Sequence, residues 1–132
     1  MKILIVEDDF TSRMLLQALL KDYGTSHVAV NGKEALAAAL HALEADEPYD
    51  LICLDIMMPE MDGHQALKEI RAAEESKGIL SSRGSKIVMM TALGDMKNVC
   101  SAYHSLADGY LVKPIDKQSL LQELRNQGLI QP

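Results

Sequence analysis

The chain has 132 residues, of which 48% are hydrophobic and 24% are charged, and it carries a net charge of −6. This length suits one domain with a real core, and this composition excludes an intrinsically disordered chain. The acidic balance, with scattered lysines and arginines, excludes the basic face that nucleic-acid binding needs, and no apolar run is long enough to span a membrane.

Strand and helix patterns alternate along the chain. Short apolar runs predict five strands, at residues 3–6, 27–30, 50–55, 86–91 and 109–113. Helical spacing of apolar residues and runs of strong helix formers predict five helices, at residues 10–23, 33–45, 63–76, 95–106 and 116–127. Strict alternation of strand and helix predicts one α/β domain over residues 1–132, with a parallel sheet covered by helices on both faces.

Local signals mark the ends of these elements. Asp9 and Asp62 are predicted N-caps, and Gly24 is a predicted C-terminal stop for the first helix. The pair Asn31-Gly32 predicts a turn of the chain. Residues 78–85, GILSSRGS, are predicted to form a polar loop before the fourth strand.

The N-terminus and the cysteines indicate the compartment. The first nine residues, MKILIVEDD, turn acidic after a short apolar run and do not resemble a secretory signal peptide. Cys53 and Cys100 lie in separate segments without metal-ligand spacing, which predicts two buried thiols and a reducing compartment. We therefore expect a cytoplasmic protein with no nucleic-acid partner and no membrane association.

Polar side chains stand at the ends of four of the five predicted strands. Glu7 and Asp8 end the first strand, Asp55 the third, Thr91 the fourth, and Lys113, followed by a proline, the fifth. Ligands of open parallel α/β sheets bind outside the carboxyl ends of the strands, so these side chains are expected to meet at one edge.

The charges of this group predict its chemistry. At neutral pH its three carboxylates and one lysine leave two negative charges, which one divalent cation would balance. Hard oxygen ligands with room for water suit Mg²⁺. An oxygen-rich metal site with a lysine and a hydroxyl is the equipment for phosphoryl transfer, in which a strand-end carboxylate can act as the nucleophile and form an acyl phosphate. Without a metal, one of the crowded carboxylates is expected to hold a proton.

The motifs ILIVEDD, LDIMMPEMDG, MMTA and GYLVKP, each at the end of a predicted strand, resemble the response regulator receiver domain of two-component signalling. The resemblance extends from residue 2 to about residue 127. It implies a flavodoxin-like, doubly wound (βα)5 fold with strand order 2-1-3-4-5, of the stand-alone type that chemotaxis regulators have. The stretch from Asp55 to Thr91 is longer than is usual in that family, with the excess in EESKGILSSRGS, residues 74–85.

The same resemblance implies a role for each residue of the metal and phosphoacceptor site. Asp55 would accept a phosphoryl group from the phosphohistidine of a sensor kinase. Glu7 and Asp8 match the acidic pair of the family, with Asp8 as the direct ligand of Mg²⁺. The backbone carbonyl of Met57 would be a further ligand. Met57 and Leu93 occupy positions that tune loss of the phosphoryl group to water, and two apolar side chains there predict slow autodephosphorylation.

The resemblance also implies how a signal would leave the site. Thr91 matches the switch hydroxyl, Lys113 the lysine that contacts phosphate, and Tyr110 the switch aromatic, while the Lys113–Pro114 peptide bond would be cis. The signalling face would comprise helix 95–106, strand 109–113 and helix 116–127. The expected partners are a sensor histidine kinase or phosphotransfer protein and an unknown downstream protein, and phosphorylation-dependent homodimerisation is left open.

The chain stops after the last predicted helix, so we expect a stand-alone receiver with a protein–protein output, unless the sequence is a fragment of a longer regulator. Such a module would catalyse only its own phosphorylation and dephosphorylation. Two other classes are weaker. An aspartyl-nucleophile phosphohydrolase of small phosphate esters would want a second acid where Met57 stands. A flavin-binding electron carrier would want bare N–H groups in the first loop, which is acidic here.

Each site residue also has a plain structural explanation. The acidic pair could be Asp8-Asp9, although Asp9 is expected to cap the first helix. Thr91 could be a strand-end hydroxyl bonded to backbone, Lys113 a solvated surface lysine, and Tyr110 a core residue. Taken one at a time these explanations suffice, but they do not explain why four strand ends bring matching chemistry to one edge.

Overall fold

The computed structural model describes residues 1–58, 60–80, 83–95 and 106–131. The strands are β1 Lys2–Val6, β2 Thr25–Ala29, β3 Leu51–Asp55, β4 Lys86–Ala92 and β5 Gly109–Lys113. The helices are α1 Phe10–Leu20, α2 Gly32–Glu44, α3 Gly63–Ser76 and, after β5, α4 Lys117–Asn126. The predicted helix at 95–106 lies outside the described residues except at its two ends, and Cys100 lies outside them too.

The five strands form one parallel sheet with the order β2-β1-β3-β4-β5. This confirms the predicted flavodoxin-like topology. β1 pairs with β2 on one side and β3 on the other, so the end of β1 lies next to the end of β3. Because all strands run in the same direction, their carboxyl ends share one edge of the sheet.

The hydrophobic core has two halves, one on each face of the sheet. Along β1, Leu4 and Val6 face one half, while Ile3 and Ile5 face the other. The first half contains buried residues of α2 and α3, and the second contains buried residues of α1 and α4. A strand buried on both faces has a continuous apolar sequence, which explains the run ILIV. Within the described part of the chain, no helix is long and apolar enough to cross a bilayer.

Most boundaries match the sequence prediction within a few residues, but the predicted end of α1 is wrong. α1 ends at Leu20, not at residue 23, so Gly24 is not the C-terminal stop of this helix. A side chain on Gly24 would collide with the carbonyl of Met1, which accepts a hydrogen bond from the N–H of Thr25 at 3.0 Å. The chain bends at Asn31 as predicted, and Asn31 also caps α2 by accepting a hydrogen bond from the N–H of Glu34 at 2.8 Å.

A buried ion cluster holds the amino-terminal edge of the sheet together. The guanidinium of Arg71, on α3, contacts Glu74 Oε1 at 2.8 Å and Asp108 Oδ2 at 2.7 Å. Glu74 Oε2 accepts a hydrogen bond from the N–H of Ser85, just before β4, and Asp108 Oδ2 accepts one from the N–H of Ile87, both at 2.8 Å. The cluster therefore ties α3, the long α3–β4 connection and the start of β5 to one another.

Candidate functional site

Three carboxylates converge at the carboxyl-terminal edge of the sheet. Glu7 and Asp8 follow β1, and Asp55 is the last residue of β3, which pairs with β1. One carboxylate oxygen from each of the three lies within 4.8 Å of the others. Glu7 is fully buried and Asp55 is 4% exposed, whereas Asp8 is exposed. The group is therefore anchored in the protein on one side and open to solvent on the other.

Lys113 completes the cluster from β5. Its Nζ lies 3.0 Å from both carboxylate oxygens of Glu7 and 3.0 Å from Asp55 Oδ2. The lysine is thus not the solvated surface residue of the plain explanation. The peptide bond between Lys113 and Pro114 is cis, as the resemblance implied.

Burial and mutual repulsion change the acidity of these groups. Burial, together with the hydrogen bond and negative charge of Asp55, raises the pKa of Glu7 to about 7, although Lys113 acts in the opposite direction. The pKa of Lys113 is lowered by its burial but raised more by the two carboxylates it contacts, so its net shift is upward and the ammonium stays charged. In the absence of a metal, Glu7 therefore keeps its proton up to a pH of about 7, in line with the expectation that one of the crowded carboxylates is protonated.

The loop after Asp55 is fixed by close backbone packing. The N–H of Met57 donates to Asp55 Oδ1 at 3.3 Å, and the N–H of Gly63 donates to the carbonyl of Ile56 at 3.0 Å. A side chain on Gly63 would collide with the carbonyl of Asp55 itself, so only glycine lets the loop close here. Gly32 makes a similar approach to the carbonyl of Met61, to which its N–H donates at 2.8 Å. Both ends of the loop are therefore held, which positions the Asp55 carboxylate.

The acidic pair that lies close to Asp55 is Glu7 with Asp8. Asp9 is the N-cap of α1, where its side chain accepts a hydrogen bond from the N–H of Ser12 at 2.8 Å, so its carboxylate is committed elsewhere. One supporting residue was not predicted from the sequence. Arg13, one turn into α1, donates from Nη1 to the backbone carbonyl of Glu7 at 3.0 Å. This contact braces the β1–α1 turn that carries the acidic pair.

The predicted switch residues lie on β4, which pairs with β3, and on β5, which pairs with β4. Thr91 is buried and is the second-to-last residue of β4, one position beyond Met90, the register partner of Asp55. Tyr110 is half-buried on β5 and packs against the core half shared with α2 and α3. The switch roles of both residues stay predictions, as does the ligand role of the Met57 carbonyl. The side chain of Leu93 is not described.

The donor set fits a divalent cation. It consists of carboxylate oxygens, the hard ligands that Mg²⁺ and Ca²⁺ prefer, on a site that remains open on the side of Asp8. Two of the three carboxylates are buried beside a single lysine, so when both are ionised their negative charge is only partly compensated within the protein. A divalent cation held by Glu7, Asp8 and Asp55 would remove that imbalance.

Comparison with known proteins identifies the class of molecule. The family model for the response regulator receiver domain matches residues 3–125, and the chain belongs to this family. Receiver domains are signalling modules of two-component systems, not enzymes in the usual sense. The family assignment therefore favours a signalling role over the phosphohydrolase and flavin-carrier alternatives.

Individual relatives match this chain over nearly its whole length. The chain is 33% identical over 129 residues to the chemotaxis protein CheY of Listeria monocytogenes, covering 94% of this chain and 95% of that protein. It is 37% identical over 121 residues to the sensor protein GacS of Pseudomonas syringae pv. syringae, but this is 92% of the chain and only 13% of GacS. Among solved structures, the receiver domain of the sensor histidine kinase PA1611 from Pseudomonas aeruginosa has a TM-score of 0.74 at 28% identity, covering 96% of this chain and 95% of that one. That structure has a magnesium ion coordinated in its active-site cleft.

Proposed function

We propose that residues 1–132 form a phosphorylation-switched receiver in which Asp55 accepts a phosphoryl group from the phosphohistidine of a sensor kinase or phosphotransfer protein. The observation that carries this proposal is the environment of the Asp55 carboxylate. It is 4% exposed, one oxygen contacts Lys113 Nζ at 3.0 Å, and Glu7 and Asp8 oxygens lie within 4.8 Å. A carboxylate nucleophile, a lysine that can contact the transferred phosphoryl group and two further carboxylates that can bind a metal therefore lie close together.

In the proposed transfer, a carboxylate oxygen of Asp55 attacks the phosphorus, the P–N bond of the phosphohistidine breaks, and an acyl phosphate forms. Mg²⁺, when bound by Asp8, Asp55, Glu7 and the Met57 carbonyl, would neutralise charge on the phosphoryl oxygens. Lys113 keeps its positive charge, because its carboxylate partners raise its pKa, and is placed to contact the transferred group. The work of the protein is mostly to position these groups and to balance their charges.

The proposed output is a change of conformation that begins at Thr91. The phosphoryl group brings about −1.5 to −2 charges and strong acceptor oxygens to Asp55. A hydroxyl that donates to one of these oxygens favours the conformation in which Thr91 lies closer to Asp55. Tyr110, on the neighbouring strand β5, would then move into the space that Thr91 leaves, and the face formed with helix 116–127 would change. The partner that binds this face would be a downstream protein or a second copy of the chain.

The surface around the site suits a protein phosphodonor. Phe10 and Met14 on α1 are 64% and 50% exposed, and Leu15 is 43% exposed. Of these three residues, Leu15 lines a cavity of about 290 Å³ whose walls also include Lys113 and the Pro114–Ile115 turn. A donor that brings its phosphohistidine to Asp55 must cover this apolar rim, and burial of exposed apolar area favours the complex. The kinases that supply such donors act on cytoplasmic receivers, so we place the protein in the cytoplasm.

Labelling with a small phosphodonor tests the nucleophile. Wild-type protein with acetyl phosphate and Mg²⁺ should gain one acid-stable, base-labile phosphoryl group per chain, and Asp55→Asn should gain none because an amide is not a nucleophile for this reaction. Asp46→Asn is the matched control, since Asp46 lies in the α2–β3 turn, before the start of β3, whereas Asp55 is the last residue of that strand. Label on Asp55→Asn that maps to another residue would contradict the assignment of Asp55. Continuous phosphate release without labelled protein would favour the aspartyl phosphohydrolase instead.

A further inference from the structure

The loop after Asp55 contains three methionines that differ in exposure. Met58 and Met61 are half-buried and pack against the core half next to α2 and α3. The side chain of Met57 is 77% exposed, the highest value among the exposed large hydrophobic residues of the described chain. Core packing therefore accounts for Met58 and Met61 but does not account for an apolar side chain at Met57.

The exposed thioether is tethered close to the proposed phosphoacceptor. The N–H of Met57 donates to Asp55 Oδ1 at 3.3 Å, and this hydrogen bond holds the backbone nitrogen of Met57 next to the carboxylate. Four bonds separate the Met57 nitrogen from its sulfur, so standard bond lengths keep the sulfur within roughly 9 Å of Asp55 Oδ1. Because the side chain is exposed, both solvent and small oxidants reach the sulfur in a protein that is fully folded.

A thioether at such a position reacts with hydroperoxides. The sulfur gives up two electrons, an S–O bond forms, the O–O bond of the peroxide breaks, and water or an alcohol leaves. Of the two cysteines, Cys53 does not compete, because it is completely buried and burial raises the pKa of its thiol to about 12. Met89 and Met90 are shielded in the same way by complete burial on β4.

We propose that Met57 is a site of reversible oxidation by hydroperoxides, and that its sulfoxide shortens the lifetime of the phosphoryl group on Asp55. This inference rests on the proposed function. A thioether is a weak acceptor, whereas a sulfoxide oxygen is a strong one and accepts a hydrogen bond from water. A water molecule held beside the acyl phosphate is oriented for attack on phosphorus, which breaks the bond to Asp55 and releases inorganic phosphate. The receiver would then lose its signal faster under peroxide.

The test compares phosphoryl lifetimes before and after mild oxidation. The full chain is treated with limiting hydrogen peroxide, and peptide mass spectrometry identifies which methionine has gained one oxygen. Treated and untreated protein are then labelled with acetyl phosphate and Mg²⁺, freed of donor, and followed as the aspartyl phosphate decays. We expect Met57 to be oxidised before Met58 and Met61, and the decay to be about fivefold faster, the effect of roughly one hydrogen bond. Methionine sulfoxide reductases should restore the original lifetime.

Two variants make the comparison specific. Met57→Leu should show the same lifetime with and without peroxide, each measured against its own untreated sample. Met14→Leu, which removes the exposed methionine of α1, should keep the full peroxide effect. An unchanged lifetime in protein fully oxidised at Met57, or a peroxide effect that persists in Met57→Leu, would overturn the inference while leaving the proposed function intact. Failure of untreated protein to accept any label would overturn the proposed function itself.

Discussion

The buried carboxyl of Glu7 makes the stability of the metal-free protein depend on pH in an unusual direction. Burial and Asp55 raise the pKa of Glu7 from 4.5 to about 7, so the folded state binds this proton more tightly than the unfolded state does. Between these two values the folded state carries more protons, and the free energy of unfolding must therefore fall as pH rises. The contribution is complete below the unfolded pKa and is lost as pH passes through about 7.

The size of this loss follows from the two pKa values. Between about pH 5.5 and about pH 8 the metal-free protein should lose about 2 kcal/mol of unfolding free energy from this one group. Glu7→Gln keeps the shape of the side chain and removes the titration, so this part of the pH dependence should disappear. Glu75→Gln, an exposed position on α3, is the matched control and should retain it.

Urea unfolding in the presence of a chelator, at several pH values across this range, measures the effect. Comparing each variant with the wild type cancels all other titrating groups. If Glu7→Gln loses as much stability as the wild type between about pH 5.5 and about pH 8, the Glu7 proton is not responsible and the reasoning is wrong. Saturating Mg²⁺ should also reduce the loss in the wild type, because a cation that binds only the folded state stabilises it.

Four further outcomes are expected. Asp8→Ala should abolish Mg²⁺-dependent labelling without lowering the melting temperature by many degrees, since Asp8 is exposed; a large drop would mean that it is structural. Thr91→Ala should still accept label but lose most of the amide shift that a beryllofluoride mimic causes at Tyr110, and shifts as large as those of the wild type would rule out this coupling route. Phe10→Ala should slow transfer from a phosphohistidine donor by about tenfold and leave labelling by acetyl phosphate unchanged; equal effects on both donors would exclude a docking role. Arg71→Gln should destabilise the protein by about 3–5 kcal/mol in urea unfolding, because it leaves buried carboxylates without their cation, and a loss under about 1 kcal/mol would show that the cluster is replaceable.

The convergence of the site could be predicted because it follows from topology. Alternation of strands and helices implies a parallel sheet, and a parallel sheet brings the residues after each strand to one edge. Glu7, Asp55 and Lys113 are far apart in the chain, yet their meeting required no knowledge of side-chain packing. The cap at Asp9 was predictable for a different reason, since an N-cap depends only on its local sequence.

Other features depend on tertiary contacts that leave no local pattern. Arg71, Glu74 and Asp108 resemble ordinary polar residues in the sequence, and only the packing of α3 against the start of β5 buries Arg71 and Glu74 beside the half-buried Asp108. Gly24 was misassigned for the same reason, because its partner is the backbone of Met1, which immediately precedes the neighbouring strand β1. Asn31 precedes a glycine, a pair that is typical of turns. Because a helix follows at once, the side chain of Asn31 also caps that helix.

Lys113 provides the site with an internal counterion, and its side chain reaches residues at the ends of two other strands. From the edge strand β5 its side chain passes over β4 and reaches Asp55 on β3 and Glu7 beside β1. The carboxylate oxygens of Glu7 and Asp55 therefore already surround a positive charge. These two side chains need not be brought together when a divalent ion binds. In the proposed function, the lysine therefore acts as the permanent counterion of the buried carboxylates, to which a divalent cation would add.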